Sequence, residues 1–326
     1  MKIIITGATG SLGAYLTRWF SGKGNEVIAI GRVANPPPRL KEFSTYIQAD
    51  ITTSFSLPEA DVCIHTAALA DDKANVTDLY LTNVTGTENV VSATKHCKKF
   101  IHISTSSVYA NSNHLLTEEM AGDKSGEKLS AYGKSKLLAE ETLIKHFNND
   151  TCFILRPRGI YGAGDKVLLP RLLKLVRNNK MIRAGSMNAK LSMTHFANFA
   201  MAIESCIVSG KSGLHIYNVA DDETYVLYDV VKKLLSGIYS RELPEKRIPL
   251  WCLKWMSALK IGDSTPLFIN TVSKNLVLDI SKIKHEINYA PVLDFDNSLK
   301  EIVDWVKAVG GIEVVKRADP RLAWEW

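Results

Sequence analysis

MKIIITGATGSLG, residues 1–13, decides how the rest of the chain is read. Ile3, Ile4 and Ile5 are consecutive apolar, β-branched residues, the composition of a strand buried on both faces of a parallel sheet. Gly7, Gly10 and Gly13 then punctuate a turn at intervals of three, and Ala14-Tyr15-Leu16-Thr17-Arg18-Trp19-Phe20 continues as a helix. Glycine suits such a turn because the backbone bends sharply, because a ligand approaches the main chain closely, and because the helix packs near the strand. The free N–H groups at the start of that helix are placed for a pyrophosphate. Gly7, Thr9, Gly10, Ser11, Leu12 and Gly13 are therefore the expected cradle of a dinucleotide.

Composition narrows the field. With 326 residues, 46% hydrophobic and 23% charged, the chain has material for a sizeable core in one large domain or two. The net charge of +6 is modest and its basic residues are scattered, which leaves no nucleic-acid footprint. Cys63, Cys97, Cys152, Cys206 and Cys252 are dispersed without metal-ligand spacing, so no metal is expected and reduced thiols in a cytoplasmic protein are. The chain enters a strand without a signal sequence, and no window approaches the roughly 18 uninterrupted apolar residues of a membrane span. The nearest candidate, residues 248–256, contains Lys254 and reads as a helix covering a substrate pocket or the core.

Downstream, Glu26–Ile30 reads as a second strand ending at Gly31-Arg32, beside the expected adenosine ribose. A basic residue there suits a 2′-phosphate, so Arg32 inclines the reading toward NADP over NAD. After the stiff Pro36-Pro37-Pro38 loop, a third strand ends at Asp50-Ile51, where Asp50 can accept from the adenine amino group. A fourth, Asp61–Ile64, runs into His65-Thr66-Ala67-Ala68, whose small Ala67 and Ala68 let a cofactor lie close. Residues 77–97 carry a helical pattern, and Phe100–Ile103 is a strand delivering Ser104-Thr105-Ser106-Ser107-Val108-Tyr109. Alternating strands and helices imply an α/β doubly wound parallel sheet, with ligands at the carboxyl ends of the strands.

Tyr132 and Lys136 stand four apart in a helix expected from Ala131 to about His146, so they share a face. A free tyrosine has a pKa of about 10, and a neighbouring ammonium favours the phenolate, which makes the pair a candidate acid/base near neutral pH. Together, TGATGSLG, HTAA, NVTGTENV, STSSVYA, YGKSK and RPRGIYGAGD resemble, in order, the motifs of the extended short-chain dehydrogenase/reductase family. That group includes nucleotide-sugar epimerases, dehydratases and 3β-hydroxysteroid dehydrogenases. The resemblance implies a Rossmann-type fold, Tyr132 as catalytic acid/base, and Lys136 as the residue that tunes it and holds the nicotinamide ribose. It also implies Thr105 as the hydroxyl that holds the reacting oxygen, with Ser106 the neighbouring alternative, Asn83 as a relay or helix-packing residue, and Pro157 at the cofactor. His65, His102 and Tyr109 read as structural. By analogy the chain forms a homodimer through helices around 77–97 and 130–148.

The domains expected are 1–157 with about 187–221 for the dinucleotide, about 158–186 with 222–312 for a small-molecule substrate, and a tail over 313–326 containing Trp324 and Trp326. Residues 166–180 read as a helix over the pocket, and Leu214–Val219 as a last strand of the sheet. Nucleotide-sugar epimerases place a substrate-contacting asparagine where this chain has Gly159 and a diphosphate-binding arginine where it has Leu191, with Arg158, Arg183 and Lys190 near enough to substitute. Ser106-Ser107 replaces the Asp-Glu pair of sugar dehydratases. RPRGIYGAGD and the Pro249-Leu250-Trp251 region resemble instead the 3β-hydroxysteroid dehydrogenase branch, which implies alcohol/ketone exchange on a sterol-like or long-chain keto substrate. A nucleotide-sugar 4-epimerase or 4-ketoreductase is the alternative, and a non-catalytic cofactor-binding regulator the alternative of another class.

Overall fold

The three isoleucines divide between two faces of one sheet. In the computed structural model, which describes residues 1–71, 74–110, 115–122, 129–147, 150–259 and 266–318, seven parallel strands form that sheet. They are β1 (Lys2–Thr6), β2 (Glu26–Gly31), β3 (Thr45–Gln48), β4 (Val62–His65), β5 (Lys99–Ile103), β6 (Thr151–Pro157) and β7 (Leu214–Val219). Their order, β7-β6-β5-β4-β1-β2-β3, is the Rossmann-like arrangement of the sequence reading. The winding reverses between β1 and β4, and a ligand crevice opens at such a switch point.

Because strand side chains alternate, Ile3 and Ile5 pack into one apolar layer and Ile4 into the other. The first layer is covered by α1 (Ser11–Gly22) and, from far along the chain, Phe196–Val208. The second is covered by α2 (Gly86–Ala93) and α3 (Ala131–His146). Val76–Tyr80 leads into α2 through a π turn at Leu81–Thr85, a local widening that often marks functional sites. A separate apolar cluster draws on 161–193 and 225–315, on both sides of β7, and includes Leu169, Leu191, Val231, Leu253, Ile302 and Val315.

Several elements differ from expectation. Pro38 opens a short helix, Pro38–Phe43, instead of ending an extended loop, because its fixed φ suits a first helical position. The helix expected over 166–180 stops at Leu173, and Val176–Arg177 pairs antiparallel with Lys180–Ala184. Asn178 and Asn179, both at positive φ, make the two-residue hairpin turn for which asparagine is among the best residues. Residues 313–316 of the expected tail belong to a helix, Ile312–Lys316, which buries Val315. Trp324 and Trp326 lie outside the described residues. Leu250–Ala258 is helical but buries only Leu253 fully, leaving Trp251 71% and Trp255 62% exposed. No described helix is long and apolar enough to cross a membrane.

Candidate active site

The glycines of the opening turn serve different ends. Gly7 has φ +68°, and a Cβ there would lie 2.8 Å from the Ala67 main chain, so it closes β1 onto the exit of β4. At Gly13 a Cβ would lie 2.3 Å from the Gly7 carbonyl oxygen, which sets how closely α1 packs on the turn. Gly10 has an ordinary φ of −82°, and the nearest atom to a Cβ would be 3.4 Å away. Neither constraint requires glycine there, which points to a ligand as the reason. No side chain caps the start of α1, and the buried Ser11 Oγ has no hydrogen-bond partner among the described residues. Orphaned donors at an uncapped helix start fit a pyrophosphate.

At the edge of the crevice, Thr9 packs on Gly31, and the exposed Arg32 lies near enough to Asp50 for its charge to act on that carboxyl. Partial desolvation raises the Asp50 pKa, but hydrogen bonds from Thr52 and the Arg32 charge outweigh it and hold the carboxyl below its ordinary value. Thr52 N–H and Oγ1–H both donate to Asp50 Oδ1. Ile51 is buried against Gly86, where a Cβ would meet its Cδ1 at 2.7 Å, and its carbonyl accepts from Asn89 Nδ2 at 2.8 Å. Glycine and asparagine of the NVTGTENV stretch thus dock α2 against the loop after β3. Ala67 is half-buried and Ala68 exposed at the crevice.

Opposite the glycine turn, the chain leaves β5 for Thr105, which caps the turn Ser106–Val108 by accepting from Ser107 N–H at 3.1 Å. Its hydroxyl donates to Ser107 Oγ at 3.3 Å, while Ser106 is buried. The start of α3 is pressed onto this turn: a Cβ at Gly133 would lie 2.2 Å from the Ser107 carbonyl oxygen. Tyr132, next to that contact, is half-buried and thereby brought to the Thr105 turn. One helical turn on, Lys136 is 1% exposed and donates to Ile103 O at 2.7 Å and His102 Nε2 at 3.0 Å. Burial pushes its ammonium down to about 7, against the opposing pull of the Glu140 carboxylate.

Beneath Lys136 the two buried histidines are neutral. Desolvation pushes His65 down to about 3 and His102 well below its ordinary value, with the Lys136 charge acting in the same direction. A neutral His65 accepts from Thr6 Oγ1 at Nδ1 and donates from Nε2 to Thr87 Oγ1, which in turn donates to Asn83 O. His102 Nδ1 has no hydrogen-bond partner among the described residues. The Asn83 side chain accepts from Leu69 N–H and donates to Leu69 O and Ser135 Oγ, while Ser135 Oγ–H donates to Tyr132 O. Asn83 therefore ties the β4 exit to the Tyr132 helix, and its amide is fully engaged in doing so.

One layer deeper, α3 and β6 are joined by a buried bidentate pair. Arg156 donates from Nε and Nη2 to Glu140 at 3.0 and 2.6 Å, and Ser104 Oγ also donates to Glu140. From Nη1, Arg156 donates to Tyr109 OH, which donates to Asn218 on β7. Sequence reading passed over Gly133 and Glu140. Their signals were a glycine inside a helical segment and an acid one turn beyond Lys136 on the same face.

The two positions singled out for substrate differ in setting. Gly159 is exposed at φ +52°, and the nearest atom to a Cβ there would be 3.8 Å away. Leu191 faces into the apolar cluster and pairs with Tyr225, so it presents no charge. Beyond β6, Thr194 Oγ1 donates to Arg158 O at 3.0 Å, and Arg158 N–H lies 3.3 Å from that same Oγ1. Pro157 is buried at the end of β6. His195 caps Phe196–Val208 through Nδ1 and meets Glu301 at 2.7 Å through Nε2.

The model of the NAD dependent epimerase/dehydratase family matches residues 3–220. A 3-beta-hydroxysteroid dehydrogenase of Mycolicibacterium neoaurum is 24% identical, across 99% of this chain and 96% of its own. A 2-alkyl-3-oxoalkanoate reductase of Stenotrophomonas maltophilia is 27% identical, across 93% and 98%. Among solved structures, UDP-glucuronic acid 4-epimerase from Bacillus cereus in complex with NAD superposes at TM-score 0.76 with 22% identity, covering 95% of this chain and 98% of that one. That last likeness is one of fold.

Proposed function

Because the chain belongs to the NAD dependent epimerase/dehydratase family, and is thus an enzyme of the extended short-chain dehydrogenase/reductase type, we propose that it interconverts a secondary alcohol and a ketone, with Tyr132 as acid/base. The observation that carries this reading is the Gly133 contact, which presses the Tyr132 helix onto the Thr105 turn above a buried Lys136. A bound nicotinamide cofactor supplies or accepts the hydride. Thr105 turns its hydroxyl from Ser107 Oγ, a long bond readily exchanged, toward the substrate oxygen. Tyr132 gives that oxygen a proton in reduction and takes it back in oxidation. Lys136, pinned by Ile103 O and His102, fixes the local charge beneath it.

Gly7, Gly10, Ser11 and Gly13 hold the pyrophosphate in this reading, and Arg32 faces the 2′ position, which favours NADP over NAD. The substrate half is built around the apolar cluster over 161–315, and Leu191 offers no cation for a diphosphate. Both features favour an apolar keto substrate over a nucleotide sugar, in keeping with the names of the two relatives. The division into interleaved cofactor and substrate domains follows the return of β7 to the sheet. A homodimer through the helices around 77–97 and 130–148 is supported by exposed Leu81 and Ile144 on them.

The test is Tyr132→Phe. Turnover of a panel of 3-hydroxy and 3-keto compounds should fall by about 100-fold or more, the scale of lost general acid/base catalysis, while cofactor affinity stays within a few-fold. Turnover that survives the substitution refutes the assignment. Thermal stabilisation of the cofactor complex by sterol-like or long-chain ligands, against UDP- or dTDP-sugars, decides the substrate class.

A further inference from the structure

Among the described residues, three buried side-chain polar atoms lack a hydrogen-bond partner: Ser11 Oγ, His102 Nδ1 and Arg158 Nε. The first belongs to the pyrophosphate cradle and the second lies under Lys136. Arg158 has no such explanation. Two residues earlier, Arg156 is satisfied by a bidentate carboxylate, whereas no carboxylate among the described residues meets the Arg158 guanidinium. Burial alone acts on its charge, pushing the pKa down to about 10. The Arg158 side chain is half-buried with its Nε enclosed, and a guanidinium that finds no counter-charge there is matched by a ligand that brings an anion.

Position says which ligand. The β5/β6 register pairs Ile103 with Leu155, and Ser104 N–H donates to Leu155 O. Continued, it sets Thr105 level with Pro157 and Arg158 one residue beyond. Neighbouring strands lie about 4.8 Å apart and advance about 3.3 Å per residue, so the Thr105 and Arg158 backbones are about 6 Å apart. Thr194 holds the Arg158 main chain in place, and the neighbouring Gly159 is exposed and carries no side chain.

We propose that Arg158 binds a carboxylate of the substrate, so that the ligand is a 3-oxo or 3-hydroxy acid on an apolar chain, its reacting oxygen at Thr105 and Tyr132. The inference rests on the alcohol/ketone reading above and narrows its substrate class. Nothing in the step changes covalently at Arg158: the guanidinium donates hydrogen bonds to an anion that stays intact.

The experiment compares 3-hydroxydecanoate with its methyl ester, under saturating NAD or NADP in the oxidised form, for the wild type, Arg158→Lys and Arg158→Met. The wild type should prefer the acid in kcat/KM by about 10- to 100-fold, the scale of charge-assisted hydrogen bonds. Arg158→Met should erase the preference, chiefly through KM, and Arg158→Lys should keep part of it. An acid-to-ester ratio unchanged by Arg158→Met overturns the proposal. Thermal stabilisation of the cofactor complex is read in parallel, with UDP as a diphosphate probe. Arg158-dependent stabilisation by UDP in place of the acid also overturns it. If neither compound is turned over yet the acid stabilises the wild type and not Arg158→Met, the carboxylate site stands and the redox reading fails.

Discussion

Gly133→Ala tests the contact on which the catalytic geometry depends. The added methyl would sit 2.2 Å from the Ser107 carbonyl oxygen and 3.1 Å from its carbon. A carbon and an oxygen need about 3.2 Å or more to avoid overlap, so α3 and the Ser107 turn must separate by about 1 Å. The obstacle is backbone, held by the Thr105 cap, and cannot rotate away. Overpacking of this kind costs about 3 kcal/mol at the upper end of its usual range, while alanine in a helix recovers about 1 kcal/mol over glycine. The net loss of about 2 kcal/mol lowers Tm by roughly 3 °C in a chain of this size. The displacement matters more for chemistry: a shift of about 1 Å between reacting groups costs about 100-fold in rate. The assay pairs thermal unfolding with kcat and with cofactor affinity, which should barely change because the glycine turn is remote. Gly22→Ala is the control, since no atom lies within 4 Å of a Cβ there and only the helix gain applies. A Gly133→Ala enzyme with wild-type Tm and kcat within about threefold of wild type would refute the reasoning.

Three further outcomes are expected. Glu140→Gln breaks the buried pair with Arg156 and should destabilise by about 3–5 kcal/mol in urea unfolding, whereas Asp304→Asn, in the exposed pair with Lys300, should leave the urea midpoint nearly unchanged. Arg32→Asp should move the NADPH-to-NADH preference in kcat/KM at least about tenfold toward NADH, because the charge at the 2′ position reverses; an unchanged ratio removes Arg32 from the cofactor site. Lys136 has a folded pKa of about 7, below the unfolded value of about 10.4. Between those values the unfolded chain binds more protons, so stability rises with pH. Relative to Lys136→Met, the wild-type Tm should therefore climb from pH 7 to 9.5, and parallel profiles would count against the buried ammonium.

What could be read in advance followed from local chemistry. Three β-branched residues before a glycine turn identified β1, and the Asp61–Ile64 and Phe100–Ile103 runs located β4 and β5, because a strand buried on both faces leaves a continuous apolar trace. Tyr132 and Lys136 were legible because helical spacing is a property of neighbours in the chain. The Asn178-Asn179 hairpin was equally local and was still missed, since the leucines at helical intervals before it outweighed a turn signal of two residues. Arg156 and Glu140 were not legible as a pair, because only the packing of α3 against β6 brings them within 2.6 Å.

The same distinction separates what the glycine turn and the substrate half can reveal. Gly7 and Gly13 are explained by the chain itself, by a positive φ and by a 2.3 Å approach. Gly10 is left over once those reasons are spent, and the proposed pyrophosphate accounts for it. Arg158 follows the same logic with charge in place of space: when every local partner has been assigned, a buried donor remains. A sequence shows which residues could bind, but only a completed inventory of contacts shows which of them still need something to bind. In this chain both remainders, Gly10 with Ser11 at one end of the crevice and Arg158 at the other, lie at the carboxyl edge of one sheet, with Thr105 and Tyr132 between them in the winding.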